Sequence, residues 1–172
     1  PTEQDLKNLL KERIVIMDGA MGTMIQQEKL EEEDFRGEHF KNHAKELKGN
    51  NDLLCLTRPD IIRNIHQSYF DAGSDIVETN TFSATTISMA DYNLEEIVPE
   101  LNVSAARLAR EAADAAMVKD PSRPRFVAGA IGPTNRTASL SPDVNDPALR
   151  NVTFDQLVST YYQQIESLVI GG

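Results

Sequence analysis

The chain has 172 residues, with 27 acidic against 17 basic side chains and a formal net charge of −10. That balance excludes a nucleic-acid surface and docking on anionic lipid, both of which need clustered Lys and Arg. With 40% hydrophobic residues the chain can form a core, and its length is about that of one domain. No apolar run approaches the roughly 20 residues of a membrane span, and Pro1 to Arg13 has no signal-peptide core. Cys55 is the only cysteine, so no intrachain disulfide can form, and a reducing, cytoplasmic setting is the expectation.

Leu6, Leu9 and Leu10 have the spacing of a short leading helix over 5–12. Ile14-Val15-Ile16-Met17 then gives a continuous apolar run closed by Asp18-Gly19, the pattern of a strand buried on both faces in a parallel sheet. Residues 29–49 are strongly polar and read as a surface excursion with little regular structure. Thr57-Arg58-Pro59-Asp60 resembles a capping-box start, followed by a helix whose apolar face is Ile61, Ile62, Ile65, Tyr69 and Phe70 and which stops at Gly73. Asp75 to Glu78 predicts a second strand running into Thr79-Asn80-Thr81-Phe82. A short helix is expected over 83–92 and a longer one from near Pro99, with Leu101, Ala105, Leu108, Ala109 and Ala112 on one side. Arg125 to Ala130 predicts a third strand, and a long polar loop over 135–151 follows it. Thr153 with Gln156 forms a capping box for a last helix carrying Phe154, Leu157, Val158, Tyr161, Ile165 and Leu168.

Alternating strands and helices imply right-handed crossovers and parallel strands with helices outside. The fold class expected is α/β, a partial (β/α)8 TIM barrel comprising about the first three β/α units. All 172 residues are assigned to the N-terminal part of one barrel domain. Three strands cannot close a barrel, and Gly171-Gly172 stands where a further strand is expected, so the pattern reads as interrupted.

In such a barrel the residues after each strand form the mouth where chemistry is placed. Asp18-Gly19-Ala20-Met21-Gly22-Thr23 offers glycines that let consecutive backbone N–H groups form a small anion nest, beside an aspartate suited to an ammonium group. Together they suit a zwitterionic amino acid, although the same spacing also fits an ordinary strand-terminating turn. Glu78, Asn80 and the flanking hydroxyls could line a pocket or satisfy their own loops. Gly129 reads as a packing residue, and the Gly132-Pro133-Thr134 corner as a functional one. His39 and His43, spaced i, i+4, could share a helix face for zinc, but their segment is weakly helical and a solvated pair is expected. Cys55 reads as a small buried hydrophobe, and His66 as a surface or packing residue.

Four segments carry a family resemblance: Ile14 to Thr23 (IVIMDGAMGT), Lys48 to Asp60 (KGNNDLLCLTRPD), Ala72 to Ala84 (AGSDIVETNTFSA) and Phe126 to Asn135 (FVAGAIGPTN). In this order they resemble the N-terminal homocysteine-binding region of the cobalamin-dependent methionine synthases. The run Lys48-Gly49-Asn50-Asn51-Asp52 and the loop after Thr134 favour that group over its betaine-dependent relatives. The resemblance implies a methyltransferase that moves a methyl group from methylcobalamin, itself recharged from methyltetrahydrofolate, to the sulfur of homocysteine. It implies a zinc ion held by three cysteines, with the cobalamin and folate domains as partners in the full-length protein. It assigns the substrate ammonium to Asp18 and the carboxylate to the backbone around Gly19, Ala20 and Met21, with Glu78, Asn80 and Thr134 lining the pocket. The Gly-Xaa-Asn-Cys and Gly-Gly-Cys-Cys-Gly segments that carry the family's zinc cysteines do not occur between Pro1 and Gly172. No catalytic residue and no metal ligand is therefore expected here, and the segment alone is expected to be inactive. A stand-alone amino-acid or anion binding module and a non-catalytic half-barrel completed by a partner remain the alternatives.

Overall fold

The computed structural model describes residues 1–172. Its helices are α1 (Glu3–Glu12), α2 (Met21–Gln27), α3 (Glu32–Arg36), α4 (Leu54–Thr57), α5 (Pro59–Ala72), α6 (Thr86–Met89), α7 (Val98–Lys119) and α8 (Phe154–Gly171). Two strands, β1 (Ile76–Glu78) and β2 (Phe126–Ala128), pair in parallel, with Ile76, Val77 and Glu78 opposite Phe126, Val127 and Ala128. The Ile14–Met17 run lies along the other edge of β1. It makes one parallel bridge, Met17 to Ile76, flanked by Asp75 N–H to Ile16 O (2.7 Å) and Asp18 N–H to Ile76 O (2.9 Å). Three extended segments thus stand side by side in chain order, all pointing the same way, with α5 and α7 as the crossovers.

The first segment departs from the sequence expectation. Ile14, Ile16 and Met17 are 85%, 54% and 46% exposed instead of buried on both faces. Apolarity alone selects a strand for a sheet interior, but burial needs a layer on each side, and no element of this chain covers that face. The same holds for α8. Its Thr153 capping box forms as expected, yet Phe154, Val158 and Ile165 face solvent while Thr160, Gln164, Ser167 and Leu168 are buried. The buried side of α8 is largely polar, and Thr160 and Gln164 meet Thr86 and the Thr81 carbonyl.

The main core lies on the helical side. Ile61, Ile62 and Ile65 of α5 meet Leu101, Ala105 and Leu108 of α7, with Leu53, Leu54 and Leu47 packed among them. A Leu, Ile or Phe fully withdrawn from water contributes roughly 1.5–3 kcal/mol. A second cluster sets Phe70 and Val77 against Ala109, Ala112, Ala113 and Ala116. This alanine row lets α7 lie close to the strands. Helix α5 begins with Pro59 and ends at Gly73, whose φ of 113° is the left-handed value a C-terminal stop requires. Its N-cap is Arg58, with no side-chain cap. Thr57 does not serve as the cap because its hydroxyl bonds the Leu53 carbonyl in the preceding turn.

Residues 29–49 are more ordered than their polarity suggests. They contain α3 and bury Phe35 and Leu47. Their charges act as internal ties: Glu32 accepts the Leu47 and Lys48 N–H groups, and Arg36 donates to the carbonyls of His43 (2.6 Å) and Lys45 (2.8 Å). Hydropathy scores such residues as solvent-facing, although their hydrogen bonds close a folded loop.

At the start of β1, Asp75 holds the layer together. Its fully buried carboxylate accepts two bonds from Arg13 (2.7 Å each), two from Arg123 (3.2 and 3.0 Å) and the Ile16 N–H (3.0 Å). One side chain therefore ties the approaches to all three extended segments. The Arg13 hydrogen bonds, with help from the Ile16 N–H and Arg123, hold this carboxyl well below the usual carboxylate range. A depressed folded-state value means that Asp75 stabilises the fold above the ordinary carboxyl pKa of about 3.9 and that the contribution is lost progressively as pH falls below it. Breaking a fully buried ion pair costs about 3–5 kcal/mol. Because both arginines reach solvent, we expect Asp75→Asn to cost about 2–3 kcal/mol. Urea unfolding at neutral pH measures this, and the deficit should shrink toward pH 3; an equal deficit at both pH values would remove Asp75 from this role.

Candidate functional site

The backbone leaves the three extended segments at one rim, and the residues there line a cavity of about 340 Å³. Asp18, Gly19, Ala20 and Met21 form one wall, and Glu78 and Asn80 form another. Six of the seven residues singled out from sequence are thus gathered in one place. Thr134 is not among them. It lines an adjoining cavity of about 610 Å³ that shares Met21, Gly22, Asn80 and Phe82 with the first. Both volumes fall within the roughly 300–1,000 Å³ of small-molecule pockets.

Asp18 ends the first segment half-buried, and both of its carboxylate oxygens accept the Glu78 N–H at 3.1 Å. Burial, opposed by that bond but reinforced by the nearby Glu78 charge, raises its pKa to about 6. An acid held in this way gains from a cation placed beside it.

The backbone on the opposite wall differs from the expected nest. Neither Gly19 nor Gly22 has a positive φ, so no left-handed nest forms. Instead Ala20, extended at φ −61° and ψ 105°, caps α2, and no side chain accepts the N–H groups of its first turn. These leading N–H groups remain available to an anion. Gly19 is explained by close approach: a Cβ there would lie 3.3 Å from the Tyr69 hydroxyl, which donates to the Ala20 carbonyl at 3.2 Å.

The Glu78–Phe82 run divides between two tasks. Thr79 and Thr81 are structural. Their hydroxyls lie 2.6 Å apart, Thr79 accepts the Ala130 N–H (2.9 Å), and Thr81 donates to the Ala130 carbonyl (2.8 Å), which fastens the exit of β1 to that of β2. Glu78 is exposed at the rim, and Asn80 is buried between the two cavities. The Asn80 amide nitrogen donates to the Asn51 carbonyl at 2.8 Å and approaches the Cys55 sulfur at 3.7 Å.

The third corner is built for packing as well as for the pocket. A Cβ on Gly132 would overlap the Phe82 carbonyl and come within 2.9 Å of its ring, so only glycine fits. Gly129 is exposed, and a Cβ there would lie 3.1 Å from Leu168 Cδ1. The Thr134 hydroxyl donates to Arg136 O at 2.6 Å and so shapes its own loop.

Several residues at the rim escape sequence reasoning. Asp52, with no role assigned from sequence, is buried in the larger cavity. Asp91 joins three segments: its carboxylate accepts the Asn135 amide (2.6 Å) and faces Arg136 (3.6 Å), and its carbonyl accepts Lys45 Nζ (2.8 Å). His43 is not a solvated partner of His39, since its Nε2 meets the Tyr92 carbonyl at 2.7 Å. His66 lies wholly in the helix interior, and burial lowers its pKa to about 4. The polarity of 43–52 was the only available signal, and it points outward when read by hydropathy.

The Asp18–Glu78 geometry sets a titration test. The Asp18 carboxyl should titrate near pH 6 by carbon-detected NMR, and Glu78→Gln should move it downward by removing a neighbouring negative charge. A midpoint near 4 in the unsubstituted chain would contradict the buried setting.

The homocysteine S-methyltransferase family profile matches residues 15–172. The chain also resembles the homocysteine methyltransferase MmuM from Escherichia coli. Against its metallated form the identity is 23% and the TM-score 0.71, covering 97% of this chain and 54% of that one. Against the oxidised form the values are 22% and 0.70, with 97% and 53% covered. At this identity the structural likeness speaks for the fold alone, and the chain spans about half the length of these relatives. The profile match, which takes in all three extended segments and the rim between them, places this chain in the homocysteine S-methyltransferase family.

Proposed function

We propose that this chain is the homocysteine-binding portion of a cobalamin-dependent methionine synthase, in which the substrate ammonium sits against Asp18 and the carboxylate against the backbone of Gly19, Ala20 and Met21. One observation carries the reading: a half-buried carboxylate and an uncapped helix start face one cavity of about 340 Å³. An amino acid brings the complementary pair of charges. Glu78 adds a second acceptor for the ammonium group, and Asn80 closes the wall toward the larger cavity, where Thr134 borders the entrance.

The reaction is methyl transfer from methylcobalamin, recharged from methyltetrahydrofolate, to the homocysteine sulfur. Family membership supports homocysteine as the methyl acceptor, and the Lys48–Asp52 run with the 135–151 loop supports the cobalamin-dependent branch. The sulfur must react as thiolate, because the thiol is mostly protonated at neutral pH and is the weaker nucleophile. In the proposed enzyme zinc supplies that activation when bound.

The residues of this chain do not fit the zinc site. No three His, Cys, Asp or Glu side chains gather in a metal-holding group. Cys55 is buried, its thiol donates to the Asn80 carbonyl at 3.6 Å, and burial pushes its pKa far above the ordinary thiol range. We assign the zinc cysteines and the cobalamin and folate domains to other parts of the full-length protein, and expect residues 1–172 alone to be inactive. What these residues contribute is binding and orientation: one end of the amino acid is fixed so that its sulfur projects away from Asp18.

Asp18→Ala in the full-length enzyme should weaken homocysteine binding roughly 10- to 100-fold, the scale of a lost charge-assisted hydrogen bond, while zinc content stays the same. In the unsubstituted enzyme the affinity should fall as pH drops below 6, because Asp18 takes up a proton and loses its charge. Titration calorimetry with L-homocysteine and metal analysis read both. An Asp18→Ala enzyme with undiminished affinity would disprove the assignment.

A further inference from the structure

Tyr69 stands in the last turn of α5, and helical side chains lean toward the helix N-terminus, which carries its phenol to the rim. Its ring packs against both core clusters and against Gly19, where a Cβ would lie 3.5 Å from Tyr69 Cε1. Packing accounts for the ring, which phenylalanine would supply equally, but not for the hydroxyl. That hydroxyl donates to the Ala20 carbonyl at 3.2 Å. The carbonyl and the Met21 N–H belong to one planar trans peptide and point in opposite directions. A bond that draws the carbonyl toward α5 therefore turns the Met21 N–H away from α5. Met21 lines the cavity of about 340 Å³ and Tyr69 does not, and the Met21 N–H meets no acceptor within the chain. The other two corners of the rim are also held through carbonyls, from α8: Tyr161 donates to Gly132 O at 3.0 Å and Gln164 to Thr81 O at 2.9 Å. The Gly132 carbonyl precedes Pro133, which has no N–H, and the Thr81 carbonyl lies outside any helix start. Of the three, the Ala20 carbonyl alone shares its peptide with a free N–H at the start of a helix.

We infer that Tyr69 is a positioning residue for the bound amino acid: its hydroxyl fixes the Ala20–Met21 peptide so that the Met21 N–H is aimed at the substrate carboxylate. The inference rests on the homocysteine reading and extends it from the groups that touch the ligand to one that acts through the backbone. Tyr69 reaches neither the ammonium site nor the sulfur, so loss of its hydroxyl falls on the carboxylate alone.

Titration calorimetry of the full-length enzyme compares L-homocysteine with 3-aminopropane-1-thiol, which keeps the ammonium and the thiol and lacks the carboxylate. Tyr69→Phe, which retains the ring, should weaken homocysteine roughly 2- to 10-fold, the scale of one neutral hydrogen bond, and leave the affinity for the aminothiol as it was. Weakening of both ligands alike would make Tyr69 an ordinary structural residue, and an unaltered homocysteine affinity would remove it from the site. Either result overturns the inference while the Asp18 assignment stands. Equal affinities of the two ligands in the unsubstituted enzyme would overturn the inference together with the carboxylate half of the homocysteine reading.

Discussion

The common direction of three extended segments is the constraint from which the rest follows. Parallel pairing of Ile14–Met17, β1 and β2 requires each connection to return along the outside, and α5 and α7 do so. Residues that enter the segments therefore collect at one end, and residues that leave them collect at the other. At the entering end Asp75 ties the layer through Arg13, Arg123 and the Ile16 backbone. At the leaving end lie Asp18, Glu78 and the Gly132–Thr134 corner. The stabilising ion-pair cluster and the proposed binding rim thus lie at opposite ends of the same short layer.

The leaving end combines rigidity with unmet polar demand. Thr79, Thr81 and the Ala130 backbone form a closed hydrogen-bond set, and Phe82 packs on Gly132 with no room for a side chain. Around this fixed centre stand groups whose capacity is unfilled: the Asp18 carboxylate, the uncapped start of α2 and the buried Asp52. Burial raises both acids to about 6. A fold tolerates such groups at a cost, and acids shifted in this way cluster at functional sites.

Much of this was legible in the sequence. Pro59 and Gly73 bracket α5, the Thr153 capping box starts α8, and the alanine row of α7 follows from its spacing. The strand order and shared rim followed from alternation, and Asp18, Gly19, Ala20, Met21, Glu78 and Asn80 line one cavity at that rim. The misreadings have physical causes. Hydropathy measures the preference of a side chain and not the presence of a neighbour, so Ile14 and Ile16 were expected inside and stand exposed. Polar residues in 29–49 were read as solvated because a sequence does not display partners; Glu32, Arg36 and His43 turn inward to specific backbone groups. The glycines after the first segment suggested a small nest of backbone N–H groups, yet Gly19 serves contact with Tyr69 and Gly22 lies within α2.

The central claim is that one rim grips a whole amino acid by its two charges, and a crystal structure of the full-length enzyme with L-homocysteine tests it most directly. The account predicts the amino nitrogen within hydrogen-bond distance of Asp18, the carboxylate on the N–H groups around Gly19 to Met21, and the sulfur directed away from both. A ligand bound in the reverse sense, with its carboxylate toward Asp18, or seated away from this rim, would contradict it.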